Sequence, residues 1–260
     1  MKSQSASLED LNAVDLYLDL LQRSLTGTLY DDEPNHDNPD PNSFGAAFVR
    51  HYMRGSAITM LPRVRLDNIR MCIENVLSDG VPGDFIETGV WRGGGCIYMR
   101  GALKVLGGGN RTVWVADSFE GLPEPDASRE KEAKFFHSTI MQKSYQRLAA
   151  SYEEVQSNFY AYGLMDENVR FLKGWFKDTL PNAPIERLAV MRLDGDHYDS
   201  TMDALSALYQ KLSPGGYAII DDYGEGIWDC RQAVDEFRQQ QGITNSLIRV
   251  DSKCYYWRKE

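Results

Sequence analysis

From residue 83 onward the chain repeats one pattern: a short, mostly apolar run, a turn carrying acidic residues or glycine, then an amphipathic stretch. The runs lie at 84–88, 112–116, 169–172, 188–193 and 217–220, and they do not alternate cleanly with polar residues. Strands buried on both faces read this way, whereas a strand with one wet face alternates. Helical spacing recurs at about 96–106, 202–212 and 230–240, the second ending at the breaker Ser213-Pro214-Gly215-Gly216. Apolar strands separated by helices predict a mostly parallel sheet covered on both faces. Two further β-rich runs, 246–250 and 254–258, read as an antiparallel pair at one edge.

Upstream the pattern is different. Leu11, Val14, Leu18, Leu21 and Leu25 mark a helix over 11–25, and Val64, Ile69, Cys72, Ile73 and Val76 mark another over 63–77. Between them, residues 31–43 are dense in Asp, Asn and Pro and read as loop. The expected organisation is an N-terminal helical extension and covering segment over 1–80, followed by a sheet domain over 81–260. Residues 124–157 interrupt the alternation, with Phe135, Phe136, Ile140, Met141, Tyr145 and Leu148 scattered among polar residues. So long an insertion is either a lid over a site or a loosely ordered surface excursion.

Acidic residues outnumber basic ones 38 to 28, for a formal charge of -10. Binding nucleic acid or an anionic membrane needs clustered Lys and Arg, so neither is the expected partner; the plain reading of the acidity is solubility. No run approaches the roughly 20 apolar residues that span a bilayer. The first ten residues are polar and lack a signal-peptide core. Cys72, Cys96, Cys230 and Cys254 form no Cys-x-x-Cys pair. They read as reduced thiols in a cytoplasmic protein.

In open α/β sheets ligands bind beyond the carboxyl ends of the strands, and the notable residues fall there. The first strand runs into Glu87-Thr88-Gly89-Val90-Trp91-Arg92-Gly93-Gly94. Glycine lets the backbone turn sharply and approach a ligand. Glu87 would repel a pyrophosphate but suits the cationic amino-acid end of S-adenosylmethionine. The second strand ends in Asp117-Ser118-Phe119, where an acid either accepts both hydroxyls of a ribose or caps the next helix. Together the two motifs point to an adenosine-type nucleoside. Asp194 and the pair Asp221-Asp222 end two strands that this topology makes neighbours. Three converging carboxylates raise one another's pKa unless a cation lies between them, and hard oxygens favour Mg²⁺, Ca²⁺ or Mn²⁺. Helix capping is the competing reading. Asp196, two residues on, is placed either as the base for a metal-bound hydroxyl or as support for the ligands. His197 reads as a packing residue, and His36, His51 and His137 have no evident partners. Trp175 and Phe176 either stack on an adenine or fill core.

The stretches 83–94, 113–119 and Gly174-Trp175-Phe176-Lys177-Asp178-Thr179, with Leu193-Asp194-Gly195-Asp196 and Ile219-Ile220-Asp221-Asp222-Tyr223, resemble the macrocin O-methyltransferase (TylF) family. The resemblance runs from about Leu16 to Arg258. It implies a Rossmann-like class I methyltransferase sheet with an antiparallel edge strand and an N-terminal helical extension. It also implies methylation of sugar hydroxyls on antibiotics, with S-adenosylmethionine and Mg²⁺ (or Mn²⁺). By resemblance Asp194, Asp221 and Asp222 are metal ligands and Asp196 the general base. Glu87, Gly89 and Asp117 hold the cofactor, Ser118, Trp175 and Phe176 lie near its adenosine, and Thr59-Met60 closes over it. Where the family has His-Thr-Met-Ile-Gly, this chain has Ile58-Thr59-Met60-Leu61-Pro62, and Pro62 restricts the backbone where Gly would be free. Residues 125–157 match the family poorly.

The expected partner is therefore a small-molecule acceptor, with a homo-oligomer contact through the N-terminal helix. The alternative is a metal-dependent glycosyltransferase using Asp194-Gly195-Asp196 as an Asp-x-Asp motif, which leaves the Gly-rich turn and Asp221-Asp222 without a role. A nicotinamide-dependent oxidoreductase is disfavoured by the missing G-x-G-x-x-G. Intact carboxylates argue against a non-catalytic binding protein.

Overall fold

A computed structural model describes residues 12–30, 57–139, 141, 142, 148–224, 226 and 228–260. The loop expected at 31–43, with His36 and His51, lies outside them, as do Leu11, Ile140 and Tyr145. Helix α1 is Ala13–Leu25, and it starts where the Asn12 side chain accepts from the backbone N–H of Val14 and Asp15 at 2.9 and 3.0 Å. It packs Leu18, Leu21 and Leu25 inward, leaving Leu16 and Leu20 exposed. Helix α2 follows at Arg63–Ser78.

The remaining elements are β1 (Asp84–Thr88), α3 (Gly94–Val105), β2 (Val113–Asp117), α4 (Glu130–Phe136), α5 (Tyr152–Ala161), β3 (Val169–Lys173), α6 (Phe176–Thr179), β4 (Leu188–Leu193), α7 (Tyr198–Leu208), β5 (Leu212–Ile220), α8 (Cys230–Gln240), β6 (Ile248–Arg249) and β7 (Tyr255–Arg258). They build one sheet in the order β3-β2-β1-β4-β5-β7-β6. β1 to β5 run parallel, and β7 and β6 close the edge antiparallel, as the last two runs suggested. The chain winds outward from β1 to β3, then returns to β4 on β1's other side. That reversal opens a crevice beyond the ends of β1 and β4.

Each face of the sheet carries its own apolar cluster. Phe85, Val113, Val115 and Ile219 join α1, α2 and α3 on one side; Ile86, Trp114, Met191 and Ile220 join α7 and α8 on the other. This two-sided burial explains why the strands read as nearly continuous apolar runs.

Three boundaries differ from the sequence reading for physical reasons. Ser213-Pro214-Gly215-Gly216 does not break away but lies within β5, whose pairing with β4 shifts register between Leu188 and Val190. Gly215 donates its N–H to Lys259 and Gly216 accepts from Lys259, so the bulge is hydrogen-bonded to the returning chain. Helix α3 begins at Gly94, earlier than expected, and its first two residues are glycines where a Cβ would strike Thr59 and Glu87. Helix α7 begins at Tyr198 because its first N–H is capped from the insertion, by Glu132. All four cysteines are unpaired and buried.

Candidate active site

The ends of β1, β2 and β4 are bonded to one another before any ligand is considered. Gly89 adopts φ +79°, and a Cβ there would collide with the carbonyl of Asp194. Asp117 Oδ2 accepts from Val90 N–H at 2.7 Å, and its Oδ1 accepts from Phe119 N–H at 2.8 Å. Asp117 therefore ties the turn after β1 to the turn after β2 and caps no helix. Ser118 Oγ donates to Gly121 O at 2.8 Å and shapes the same turn. Among the described residues, three other than glycine have positive φ: Trp91, Phe119 and Asp196. Each follows a strand end in this crevice, where strained backbone is held by its surroundings.

Asp194, Asp221 and Asp222 each offer a carboxylate oxygen, all within 4.8 Å of one another. Opposite ligands of one Mg²⁺ stand about 4.2 Å apart, so slight side-chain closure brings these hard oxygens onto a single ion. Asp194 and Asp222 are within hydrogen-bonding reach of each other. The cluster also contains two buried arginines that the sequence reading did not place. Arg192 Nη1 donates to Glu87 Oε1 at 2.5 Å, and its Nη2 donates to Asp194 at 3.0 Å and to Asp221. Arg65 Nη1 donates to Asp221 Oδ2 at 2.5 Å. Arg192 was findable: it stands inside the apolar β4 run and is the register partner of Glu87 on β1. Arg65, in the first turn of α2, carries no such signal.

Asp196 sits beside this cluster, and the insertion reaches it. Glu132 of α4 is fully buried, and its Oε1 accepts from Tyr198 N–H at 3.1 Å and Asp229 N–H at 2.6 Å. One carboxylate therefore serves the starts of both α7 and α8, where the helix dipole favours negative charge. Phe135 packs edge-on against Trp228 at 5.0 Å. This part of 124–157 packs against the starts of α7 and α8. His197 is buried against Trp228, and burial pushes it down to about 4, so it is neutral. His137 does have a partner, Glu124 at 3.0 Å on the surface.

Two cavities meet here. The larger, about 630 Å³, is lined by Met60, Gly89, Asp117, Ser118, Trp175 and Phe176 and reaches Asp194 and Asp196. The smaller, about 290 Å³, is lined by Thr59, Glu87, Asp221, Asp222, Phe135 and Trp228 and reaches the same two aspartates. Thr59 is buried, its Oγ1 accepting from Leu61 N–H at 3.1 Å, so it fixes the turn while Met60 borders both cavities.

Crowded acids titrate abnormally. Burial, reinforced by Asp221, pushes Asp194 up to about 6; burial, then Asp194, Asp221 and Glu132, push Asp196 up to about 8. Asp222 is raised as well, by burial and then by its acidic neighbours. In the unfolded chain these groups return to about 4, so between about pH 4 and pH 8 the folded protein holds more protons than the unfolded one. Stability from these groups is full below that window and is lost as pH rises through it. Metal-free protein should therefore melt at a lower temperature at pH 8.5 than at pH 5. A flat or rising melting temperature in EDTA would contradict the charge balance described here.

Residues 51–259 match the family of macrocin O-methyltransferase (TylF). The chain is 47% identical over 253 residues to mycinamicin III 3''-O-methyltransferase of Micromonospora griseorubida, covering 95% of this chain and 97% of the relative. It is 47% identical over 258 residues to the 8-demethyl-8-(2,3-dimethoxy-alpha-L-rhamnosyl)-tetracenomycin-C 4'-O-methyltransferase of Streptomyces olivaceus, covering 95% and 94%. The solved structure of the O-methyltransferase NovP superposes with a TM-score of 0.82 at 46% identity, covering 95% of this chain and 99% of that one.

Proposed function

The chain belongs to the macrocin O-methyltransferase (TylF) family, and on that premise we propose that it methylates a sugar hydroxyl of a glycosylated natural product with help from a divalent metal. It is an O-methyltransferase on a methyltransferase sheet that takes S-adenosylmethionine. Membership removes the glycosyltransferase alternative for Asp194-Gly195-Asp196. One observation carries the finer reading: the two cavities share Gly89, Asp194 and Asp196, one extending along Asp117, Trp175 and Phe176 and the other over Asp221 and Asp222.

In this reading the cofactor's adenosine lies in the larger cavity and its amino-acid end reaches toward Glu87, which with Thr59 lines the smaller one. Glu87 and Gly89 face that amino-acid end, Asp117 the ribose, and Ser118, Trp175 and Phe176 the adenosine, with Thr59-Met60 as cover. Asp194, Asp221 and Asp222 would hold Mg²⁺ or Mn²⁺, which when bound acidifies a neighbouring hydroxyl. Asp196 takes the hydroxyl proton. S-adenosylmethionine held there would supply the methyl group to the acceptor oxygen, the electron pair of its carbon–sulfur bond returning to sulfur. Alignment of oxygen, carbon and sulfur supplies much of the rate. Phe135 and Met141 of the insertion line the smaller cavity and make it the acceptor's roof. The rhamnosyl acceptor of the Streptomyces olivaceus relative supports a sugar hydroxyl here. Cytoplasmic location and self-association through α1, whose Leu16 and Leu20 are exposed, belong to the proposal too. No helix among the described residues is long and apolar enough to cross a membrane.

Thermal shift with S-adenosylmethionine, a UDP-sugar and NAD, each with and without Mg²⁺, tests the assignment. S-adenosylmethionine alone should stabilise the protein, and stabilisation by only the sugar nucleotide would overturn the reading. Methyl uptake across glycosylated and phenolic compounds then identifies the acceptor, with glycosides expected and phenols inert.

A further inference from the structure

Both oxygens of Asp221 are already engaged, Oδ2 by Arg65 at 2.5 Å and Oδ1 by Arg192. All three side chains are less than 10% exposed, at 2%, 1% and 7% for Arg65, Arg192 and Asp221. Arg192 alone suffices to orient Asp221, since it is also fixed by Glu87 and Asp194. Arg65 does something else. It stands in the first turn of α2, where the helix dipole disfavours a cation, so the helix does not gain from it. Its guanidinium is held in place from behind by Asp251, at 2.7 Å and 3.2 Å.

We infer that Arg65 is a resident counter-ion of the aspartate triad, balancing Asp221 in the metal-free protein and competing with a divalent cation for that carboxylate. The inference rests on reading Asp194, Asp221 and Asp222 as a metal site. A guanidinium does not deprotonate, so its charge stays beside any arriving cation and repels it through a poorly screening interior. A side chain that merely orients a ligand has the opposite effect, and its loss weakens metal binding about 10- to 100-fold. The two roles thus predict opposite signs. Arg65 keeps the empty site from repelling itself apart, and it holds the metal's affinity down.

The test is Mn²⁺ binding to the full-length protein, read from the free-Mn²⁺ paramagnetic resonance signal without cofactor or acceptor. Arg65→Met should tighten Mn²⁺ binding roughly tenfold. It should also lower the melting temperature in EDTA, with saturating Mn²⁺ restoring it. Arg65→Gln, which keeps a donor without the charge, should tighten binding in the same direction and serves if the Met variant does not fold. Arg65→Lys keeps the charge and should stay within about threefold of wild type. Weakened or unchanged Mn²⁺ affinity in both uncharged variants overturns the counter-ion role while leaving the metal site standing. A wild-type protein that binds no Mn²⁺ at millimolar concentration overturns the metal reading itself, and this inference with it.

Discussion

Asp196→Asn should lower methyl transfer by roughly 10² to 10⁴, the range lost with a general base, while S-adenosylhomocysteine affinity stays within about twofold. Asp196 is held in a left-handed backbone at the meeting point of the two cavities, so its place is fixed before an acceptor arrives. Its carboxyl, pushed up to about 8 by burial and by Asp194, Asp221 and Glu132, is protonated at neutral pH in the metal-free protein. A protonated acid accepts no proton. Burial is the largest cause of that rise and its acidic neighbours add to it, so positive charge brought to the triad favours the ionised base and links its ionisation to occupancy of the triad. Asparagine preserves shape and hydrogen bonding but cannot ionise. If Asp196 instead only supports the ligands, the same variant loses Mn²⁺ affinity. Single-turnover rates and Mn²⁺ titration of one preparation separate these outcomes. Near-normal turnover would remove Asp196 from the chemistry.

The sequence carried the sheet because burial on both faces leaves a signature in composition: 112–116, 188–193 and 217–220 are too apolar for a wet face. It carried the carboxylates for the same reason, since an acid ending such a run has nowhere to go but the crevice. What it did not carry lies across long separations. Arg65 meets Asp221 156 residues away, and Glu132 meets Tyr198 66 residues away. An arginine in a helical first turn and a glutamate in a charged stretch look like any solvated residue until the fold buries them. The start of α7 was misplaced for that reason, because its cap comes from another segment. Ser213-Pro214-Gly215-Gly216 misled differently: its residues favour a turn, but the C-terminal segment returning at Lys259 bonds the backbone of Gly215 and Gly216 and keeps the run in the strand.

Removing a divalent metal should cost as much as losing a key side chain of the site. Protein treated with EDTA should lose turnover by at least about 10³, and Mg²⁺ or Mn²⁺ should restore it. Against this stands a competing reading: Arg65 and Arg192 already supply positive charge, which makes the aspartates a purely structural ion-pair network. The census of charge argues otherwise. Glu87, Asp194, Asp196, Asp221 and Asp222 crowd around two guanidiniums, one of them shared with Asp251. Asp222 separates the two cases, because its neighbour within hydrogen-bonding reach is another acid, Asp194. Its carboxyl is held well above the ordinary range, so ionising it destabilises the folded protein without a cation. Asp222→Asn should accordingly raise the melting temperature in EDTA at pH 8, abolish the further rise that Mg²⁺ gives wild type, and reduce turnover as far as EDTA does. A purely structural network predicts the reverse, a variant that melts earlier and still turns over. Full activity in EDTA, or an Asp222→Asn enzyme that works without Mg²⁺, would leave the arginines as the only cations the site requires.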